Sequence, residues 1–422
     1  MKDRLGLSAI AVMLSRVGGL LHRRRVSAYC AMLLAGELAL TVFYIAGTYG
    51  LIVPLDRPAT TDFVSFYAAG SLADAGTPAL AYDHAAHLAA EEHATAPGIK
   101  YNFFYYPPVY LLICAALARL PYLVAFFVFE VATLGLYVFV LSRILGDRRW
   151  TTLFPFLVFP IVFWNFGYGQ NGFLTAGLFG AATLLIDRRP VVAGLLFGAL
   201  CYKPHFGILI PVALAAGGYW RAFAAAVASV AGLVLLSVLG FGDASWHQFL
   251  AAIAASRATY ESGVKLPGFV TPFGAVLVAG GTPALAYAAQ AAATVFAAAM
   301  VALVWGRGLS LPARAAVLAA ATLVAVPVAL FYDLMLATLA VAWLYRSEGG
   351  LTQAERAVVA ILYVACLDPV RITEATHVPL APLAALALVG VVGHRAWREV
   401  TAERRRSGIA GGAECFEPAR PA

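Results

Sequence analysis

Charged residues are scarce in this sequence of 422 residues, because Asp, Glu, Lys and Arg together make up 12% of it. Soluble globular proteins carry about twice that fraction. Hydrophobic residues make up 62%, and the mean hydropathy is +0.82. This composition is that of a polytopic membrane protein and excludes a soluble domain. The long apolar runs lack the alternation typical of a β-barrel, so we predict an all-α protein whose spans satisfy their backbone hydrogen bonds internally.

Lysine and cysteine are also few. The lysines are Lys2, Lys100, Lys203 and Lys265, so the net charge of +7 rests mainly on arginine. No basic stripe interleaves with aromatic residues, which argues against a nucleic-acid partner, and the arginines instead mark cytoplasmic loops. The five cysteines show no metal-binding spacing and no evident disulfide framework, and no dense carboxylate cluster suggests a divalent ion. We therefore expect neither a metal nor another cofactor.

The sequence does not predict a cleavable signal peptide either, because the first short apolar stretch ends in three consecutive arginines rather than in small residues. Residues 1–26 are predicted to be a basic cytoplasmic tail and 27–403 a membrane-embedded domain. Residues 404–422, rich in Gly, Arg and Pro, are predicted to be a disordered cytoplasmic tail. The first transmembrane helix leads into a large polar external loop over 51–105.

The apolar stretch 106–118 is short for a transmembrane helix and decides the predicted topology. If it does not cross, and if 268–283 is likewise a re-entrant or interfacial element, the arginine-rich loops fall on the cytoplasmic side at almost every turn of the chain. About eleven crossings result. If 106–118 crosses instead, the arginine pairs at 148/149 and 188/189 move outside, which the positive-inside rule disfavours.

This topology gathers most of the unusual polar side chains on the external side. Each has an ordinary structural interpretation when taken alone, as a turn residue, a satisfied interfacial carboxylate or a snorkelling lysine. The set comprises Asp62, Tyr105, Tyr106, Gln170, Asn171, Lys203, His205, Lys265, Asp333, Arg371 and His377.

Asp62 lies where the first span gives way to the external loop, and its carboxylate has two interpretations. In the first, Thr60 or Thr61 caps a short helix, and Asp62 in the first turn stabilises the helix N-terminus. In the second, Asp62 is the base of a membrane enzyme, because a carboxylate at the water interface can accept a proton from a substrate hydroxyl. Composition alone leaves both open.

Several short motifs, in combination, resemble one known family. They are Asp62-Phe63-x-x-Phe66-Tyr67-x-Ala69-Gly70, Leu80-x-Tyr82-Asp83, Tyr106-Pro107-Pro108, Gly169-Gln170-Asn171, Arg189-Pro190 and Lys203-Pro204. Over residues 27–350 the chain is similar to polyprenol-phosphate-mannose-dependent α-mannosyltransferases of the GT-C group, close to the enzymes that extend phosphatidylinositol mannosides. The resemblance implies a GT-C fold and transfer of a hexose, mannose first, to a lipid-linked or cell-envelope glycan on the external face of the inner (cytoplasmic) membrane.

The resemblance also implies that Asp62 is the catalytic base, because it alone matches the aspartate that follows the first span in this family. One segment departs from the family pattern. Where family members often carry a histidine near the outer end of a late span, residues 330–334 read Leu-Phe-Tyr-Asp-Leu. The residues that hold the donor phosphate are therefore not carried over from the family.

The residue types suit this chemistry. A single attacking carboxylate predicts single displacement with inversion at the anomeric carbon, and the departing lipid phosphate calls for cations or hydrogen-bond donors. In declining order of preference, the candidate cations are Lys203, His205, Lys265 and Arg371. The other candidates for binding the donor sugar or phosphate are Gln170, Asn171, Asp333, Tyr67 and Tyr106.

Rival functions remain open at this point. A transporter or flippase of lipid-linked sugars would spread polar residues through both halves of the membrane and show broken helices in paired positions, and we find no internal repeat of that kind. A ligase that moves whole glycan chains would differ mainly in the size of its acceptor. Among GT-C enzymes, a transferase of arabinose or glucose is the closest alternative. The expected partners are a polyprenol-phosphate sugar, a lipid or glycan acceptor and membrane lipids.

Overall fold

The structure, a computed structural model, describes residues 12–46, 53–54, 58–59, 62–261 and 266–413. The predicted phosphate ligand Lys265 and the capping candidates Thr60 and Thr61 lie outside these residues.

The described chain is almost entirely helical, which confirms the predicted all-α class. The first helices are α1 (Arg23–Ala46), α2 (Phe63–Asp74), α3 (His84–Ala94), α4 (Pro108–Ala118), α5 (Tyr122–Leu145), α6 (Trp150–Leu157), α7 (Pro160–Tyr168), α8 (Gly172–Leu185) and α9 (Pro190–Ala199). They are followed by α10 (Ile210–Ala216), α11 (Trp220–Glu261), α12 (Pro272–Val278), α13 (Pro283–Gly306), α14 (Leu311–Ala325), α15 (Met335–Arg346), α16 (Gln353–Ala365), α17 (Pro369–Thr376) and α18 (Leu380–Ala413).

Short elements complete the chain. A helical segment over 12–20 precedes α1, and two-residue strands β1 (Val53–Pro54) and β2 (Pro58–Ala59) pair antiparallel in the first loop. Turns of 3₁₀ helix cover Pro78–Tyr82, Leu200–Tyr202, Pro204–Gly207, Leu266–Gly268 and Phe331–Leu334.

Five of the described helices, α1, α5, α11, α13 and α18, are long and apolar enough to cross a membrane. The bent pair α6 and α7 gives a sixth candidate if the two form one span, with 58° between them. Five shorter apolar helices have 10–17 residues each, counting adjoining 3₁₀ turns. The chain is therefore a multi-pass membrane protein, and the count of about eleven crossings, which needs the shorter helices as spans, stays a prediction.

Helices α4 and α12 are the helices observed in the stretches 106–118 and 268–283, and both are too short to cross alone. They contain 11 and 7 residues, or about 16 Å and 10 Å, against a hydrocarbon core of about 30 Å. That neither stretch crosses stays a prediction. With both tails on the cytoplasmic side the number of crossings is even, so the predicted count of about eleven corresponds to ten or twelve.

Contacts between loops divide the bundle into two ends. At the arginine-rich end, arginines and carboxylates tie neighbouring loops together. The pairs are Arg314 with Asp187 at 2.8 Å, Arg346 with the carbonyl of Ile144 at 2.8 Å, Arg395 with Glu355 at 2.8 Å, and Glu399 with the Ser310 hydroxyl at 2.9 Å. These are the loops that the positive-inside rule assigns to one side.

The opposite, arginine-poor end brings together the loops assigned to the other side. The contacts are Gln170 with Asp62, Asn165 with Tyr332, Lys203 with Asp333, and Trp164 with Leu367. The predicted alternation of the loops thus agrees with their observed grouping.

Helix α2, which follows Asp62, packs closely along α4. A Cβ atom on Gly70 would lie 2.1 Å from the carbonyl oxygen of Cys114, so only glycine permits this approach of the two backbones. At the far end of α2, Asp74 forms an exposed ion pair with Arg119 at 2.8 Å. The position of the residue before α2 is therefore fixed by a tight helix pair.

Helix α11 breaks at Gly242, whose backbone has φ 74° and ψ 165°. After the break the chain folds back on itself. The contact that shows this is a hydrogen bond across the break, which the indole of Trp246 donates to the hydroxyl of Ser237 at 3.1 Å. The ring of Phe249 lies 5.9 Å from that of Tyr82 in the first loop. The second part of α11 therefore lies at the arginine-poor end.

Helix α18 continues to Ala413, well past the predicted membrane boundary at 403. The helix includes residues 404–413, which the sequence analysis predicts to be disordered. The three arginines at 404–406 favour a helix, whereas Gly408, Gly411 and Gly412 do not. Residues 414–422 lie outside the described part of the chain.

Candidate active site

Asp62 stands in the position from which an aspartate usually caps a helix, immediately before α2. Its backbone already has helical angles (φ −63°, ψ −18°), and its side chain makes no capping hydrogen bond. Oxygen Oδ2 instead accepts a hydrogen bond from Nε2 of Gln170 at 2.6 Å. No other hydrogen bond from the described residues reaches this half-buried carboxylate. The Asp62 side chain is thus bound to Gln170 rather than to the backbone of α2, and no described residue donates a hydrogen bond to Oδ1.

The turn that carries Gln170 reaches α2 because two glycines leave room. Gly169 ends α7 in the left-handed conformation, with φ 67°, and a Cβ atom there would lie 2.5 Å from Cβ of Phe63. A Cβ atom on Gly172 would lie 2.2 Å from Oδ1 of Asn165. Neither close approach is possible for a larger residue. The glycines thus bring the Gln170 amide to Asp62.

Asn165 connects this turn to the 3₁₀ turn that contains Tyr332 and Asp333. Its Oδ1 accepts a hydrogen bond from the Gly172 amide at 3.0 Å, and its Nδ2 donates to the carbonyl oxygen of Tyr332 at 2.9 Å. The side chain is fully buried. The sequence analysis missed this residue, although a single amide in the apolar helix α7 was a usable signal.

Lys203 and Asp333 form a buried ion pair at the 3₁₀ turn Phe331–Leu334. Nζ lies 2.8 Å from Oδ1, and the side chains are 3% and 4% exposed. The other carboxylate oxygen, Oδ2, accepts a hydrogen bond from the Leu330 amide at 2.9 Å. Lys203 is therefore not a snorkelling lysine, and the structure pairs two residues that the sequence analysis had treated separately.

Three aromatic rings surround the Lys203 ammonium. The ring centroids of Tyr332, Phe206 and Tyr106 lie 5.3, 5.5 and 5.9 Å from Nζ, within the range of cation–π attraction. His205, in the same 3₁₀ turn as Phe206, is half-buried, and its ring lies 4.4 Å from that of Phe206. The result is a single cationic centre in a largely apolar setting.

Tyr106 links this centre to Asp62. Its ring lies 5.2 Å from Phe66 of α2 and 4.7 Å from Tyr110 of α4. The charges of both Asp333 and Asp62 act on its phenol. The candidate base and the Lys203–Asp333 pair therefore belong to one cluster.

Several buried polar atoms around Tyr106 lack well-formed hydrogen bonds. Gln170 is 3% exposed and Asn171 fully buried. Oε1 of Gln170 makes no hydrogen bond within the described part of the chain, and the Asn171 amide interacts with the Tyr106 and Tyr110 hydroxyls without reaching good hydrogen-bond geometry. An unpartnered buried polar group costs about 1–3 kcal/mol. Their concentration here is typical of a site that binds a polar ligand.

Two predicted ligands serve elsewhere. The Tyr67 hydroxyl donates to the Leu120 carbonyl at 2.9 Å, and its ring lies 5.2 Å from that of Tyr122, so Tyr67 anchors α2 to the turn after α4. Arg371 lies on the surface of α17, 71% exposed, where its guanidinium is 3.6 Å from Asp368. No described contact joins either side chain to the Lys203–Asp333 pair.

A second buried pair, His87 and Glu91 of α3, packs against α2, and the sequence analysis missed it. The His87 ring contacts the carbonyl oxygen of Ser65 through Nε2 at 3.1 Å, and its Nδ1 is 3.7 Å from Oε1 of Glu91. Burial lowers the pKa of His87 to about 4. Burial raises the pKa of Glu91 to about 8, the Asn102 amide opposes this, and the charge of Asp62 adds to it. Both side chains are therefore neutral near pH 7.

A profile of glycosyltransferase family 87 matches residues 104–331, more than half of the chain. The chain belongs to glycosyltransferase family 87. This is a family of polytopic membrane glycosyltransferases, so the predicted enzyme class is confirmed at that level. The range matched to family 87 contains Tyr106, Gln170, Asn171 and Lys203, whereas Asp62 and Asp333 lie outside it. No curated protein and no solved structure matches the chain.

Proposed function

We propose that this family 87 glycosyltransferase transfers a hexose, with mannose as the first candidate, from a polyprenol-phosphate donor to a hydroxyl of a lipid-linked or cell-envelope glycan. The reaction occurs at the arginine-poor end, which the positive-inside rule assigns to the external face of the inner membrane. Family membership supports glycosyl transfer. The motif resemblance supports the lipid-phosphate donor and mannose.

Asp62 acts as the base. Its Oδ1 accepts the proton of the acceptor hydroxyl while that oxygen attacks the anomeric carbon. The bond between the anomeric carbon and the phosphate oxygen breaks, and its electron pair leaves with the lipid phosphate. A single carboxylate acting this way inverts the anomeric configuration. The Gln170 amide holds Oδ2 and so fixes the direction in which Oδ1 points.

Lys203 stabilises the negative charge that develops on the departing phosphate. Its ammonium lies among aromatic rings in a water-poor setting, where such stabilisation is strongest. His205 follows in the same turn and is the second candidate. Gln170, Asn171 and Tyr106 provide polar atoms for the sugar.

The observation that carries this proposal is the hydrogen bond of Asp62 with Gln170 in place of a helix cap. It is tested with purified protein, polyprenol-phosphate sugars and membrane lipids. Asp62→Asn should lower transfer about 10²- to 10⁴-fold, the usual contribution of a general base. Asp74→Asn, at the other end of the same helix, should retain nearly full activity because its ion pair with Arg119 is exposed.

The variants must show equal thermal stability for this comparison to count. Full transfer by Asp62→Asn would refute the base. The same assay separates the rivals, because a flippase moves the lipid-linked sugar without releasing polyprenyl phosphate. A panel of mannose, glucose and arabinose donors identifies the sugar.

A further inference from the structure

The buried ion pair of Lys203 and Asp333 carries no net charge, because the carboxylate offsets the ammonium. Of the described residues, the one whose oxygen accepts a hydrogen bond from the ammonium is Asp333, at 2.8 Å. Asp62 adds a negative charge to the same cluster. A site that must attract a lipid phosphate therefore keeps an anion beside its cation, which lowers the affinity for that phosphate.

Asp333 is held rigidly in this position. Its Oδ2 accepts the Leu330 amide, its own amide donates to the Leu330 carbonyl at 2.8 Å, and Asn165 fixes the adjoining Tyr332 carbonyl. Lys203, by contrast, has a flexible four-carbon stem and three ammonium protons. A phosphate oxygen can therefore accept a hydrogen bond from a second N–H of the ammonium, while Asp333 stays where it is.

The reaction changes the charge of the phosphate. The donor is a phosphodiester with one negative charge. When its bond to the anomeric carbon breaks, the product is a lipid monophosphate, which carries about −1.5 to −2 at pH 7. A lone buried lysine would hold this product more tightly than the donor, and turnover would stop at product release.

We propose that Asp333 is a built-in competing anion, which shares the Lys203 ammonium with the lipid phosphate and repels the more highly charged product so that it leaves. This inference rests on the proposed function. Asp333 is here a positioning residue for Lys203, and its effect is greater on the monoester than on the diester because repulsion grows with the charge of the phosphate.

The test compares two constants in each variant, the donor KM and the inhibition constant of polyprenyl monophosphate. Asp333→Asn should lower both constants, and the inhibition constant more than the KM. The ratio of the inhibition constant to the KM should therefore fall roughly tenfold. The kcat of Asp333→Asn should fall as product release becomes limiting. Asp333→Glu, which restores the charge, should keep the wild-type ratio. Glu355→Gln removes a carboxylate from another buried ion pair, at 2.8 Å from Arg395, and should leave the ratio unchanged.

An unchanged ratio in stable Asp333→Asn protein would overturn the inference, because a merely structural ion pair affects both ligands alike. The wild type provides a second test that needs no variant. Its affinity for polyprenyl monophosphate should be within about threefold of that for the corresponding methyl phosphodiester. Tighter binding of the monoester by tenfold or more would equally overturn the inference.

Failure of the proposed function gives a different result. If wild-type protein binds neither the monoester nor the diester, the polyprenol-phosphate donor itself is wrong. If it binds and turns over the donor, and the ratio does not respond to Asp333, only the role of the competing anion fails.

Discussion

At the scale of single residues, the site depends on how the Asp62 carboxylate is oriented. A general base must point at the proton that it takes, and small misplacements are costly. Here one oxygen is bound at 2.6 Å by an amide that is itself buried. Under the proposed function, Gln170 orients the base through Nε2, in addition to offering Oε1 to the sugar.

Replacing Gln170 with alanine should lower kcat by about ten- to a hundredfold, because the carboxylate loses its fixed direction. The donor KM should change little, since the Lys203 centre remains intact. Steady-state kinetics with varied donor measures both constants. Gln353→Ala is the matched control, because Gln353 lies at the arginine-rich end, where it accepts a hydrogen bond from Ser15. A rise in KM with unchanged kcat would assign Gln170 to donor binding instead.

The sequence identifies Asp62, Gln170 and Lys203 by residue type and by their place at the ends of apolar runs. It does not reveal their partners, because Asp62 and Gln170 are 108 positions apart and Lys203 and Asp333 are 130 apart. Such pairings are decided by helix packing. Helix packing also decides which predicted ligands stay apart from the site. The charge of Arg371 and its position in an external loop predict a phosphate ligand, yet the side chain lies on the surface of α17.

At the scale of elements, α3 supports α2 through a pair of neutral, titratable side chains. The pKa of Glu91 is raised from 4.5 to about 8, so the folded state favours its protonated form. The stability that this provides is fully present below about pH 4.5 and is lost as the pH rises through about 8. The lowered pKa of His87, about 4, acts in the opposite direction. Its contribution is present above about pH 6.5 and is lost as the pH falls.

We expect the thermal stability of the purified protein to fall between about pH 6.5 and 8, above the range in which His87 offsets Glu91, and to level off at higher pH. Glu91→Gln should flatten this dependence because a neutral amide replaces the carboxyl group. Thermal unfolding in detergent across this range measures the effect. Glu92→Gln is the control, because that neighbouring side chain caps the Gly98 amide at 2.7 Å and can still do so as an amide. Equal slopes for wild type and Glu91→Gln would contradict the assignment.

Most elements follow from the hydrophobic pattern, and the shortness of α4 and α12 follows from apolar runs bounded by proline and glycine. The reversal after Gly242 was harder to predict. A glycine in an apolar helix is often tolerated without a break. The hydrogen bond of Trp246 to Ser237, which fixes the folded-back position, depends on tertiary structure.

At the scale of the whole molecule, the chain has two chemically distinct ends. Arginine ion pairs join the loops at one end, and the candidate active site lies at the other. If the positive-inside rule holds, the arginine-rich end faces the cytoplasm. The catalytic cluster then faces outward.

Single cysteines near Arg148 and Arg188, in a background from which all five native cysteines have been removed, should resist an impermeant thiol reagent added from outside intact cells. A cysteine in place of the exposed His247, on the folded-back part of α11, should react. The extent of labelling before and after permeabilisation measures sidedness. Labelling at Arg148 or Arg188 in intact cells would place these loops outside, and this would mean that the stretch 106–118, which contains α4, crosses the membrane.

The separation of Lys203 from Asp333 along the chain has a consequence for biosynthesis. The lysine emerges from the ribosome 130 residues before its counter-ion. A charged ammonium cannot rest unpaired in the hydrocarbon region during that interval. We therefore expect the helices on either side of Lys203, α9 and α10, to keep the ammonium at the water interface during that interval. The ion pair with Asp333 forms when α15 is inserted. Completion of the catalytic cluster is thus among the late events in the assembly of the protein.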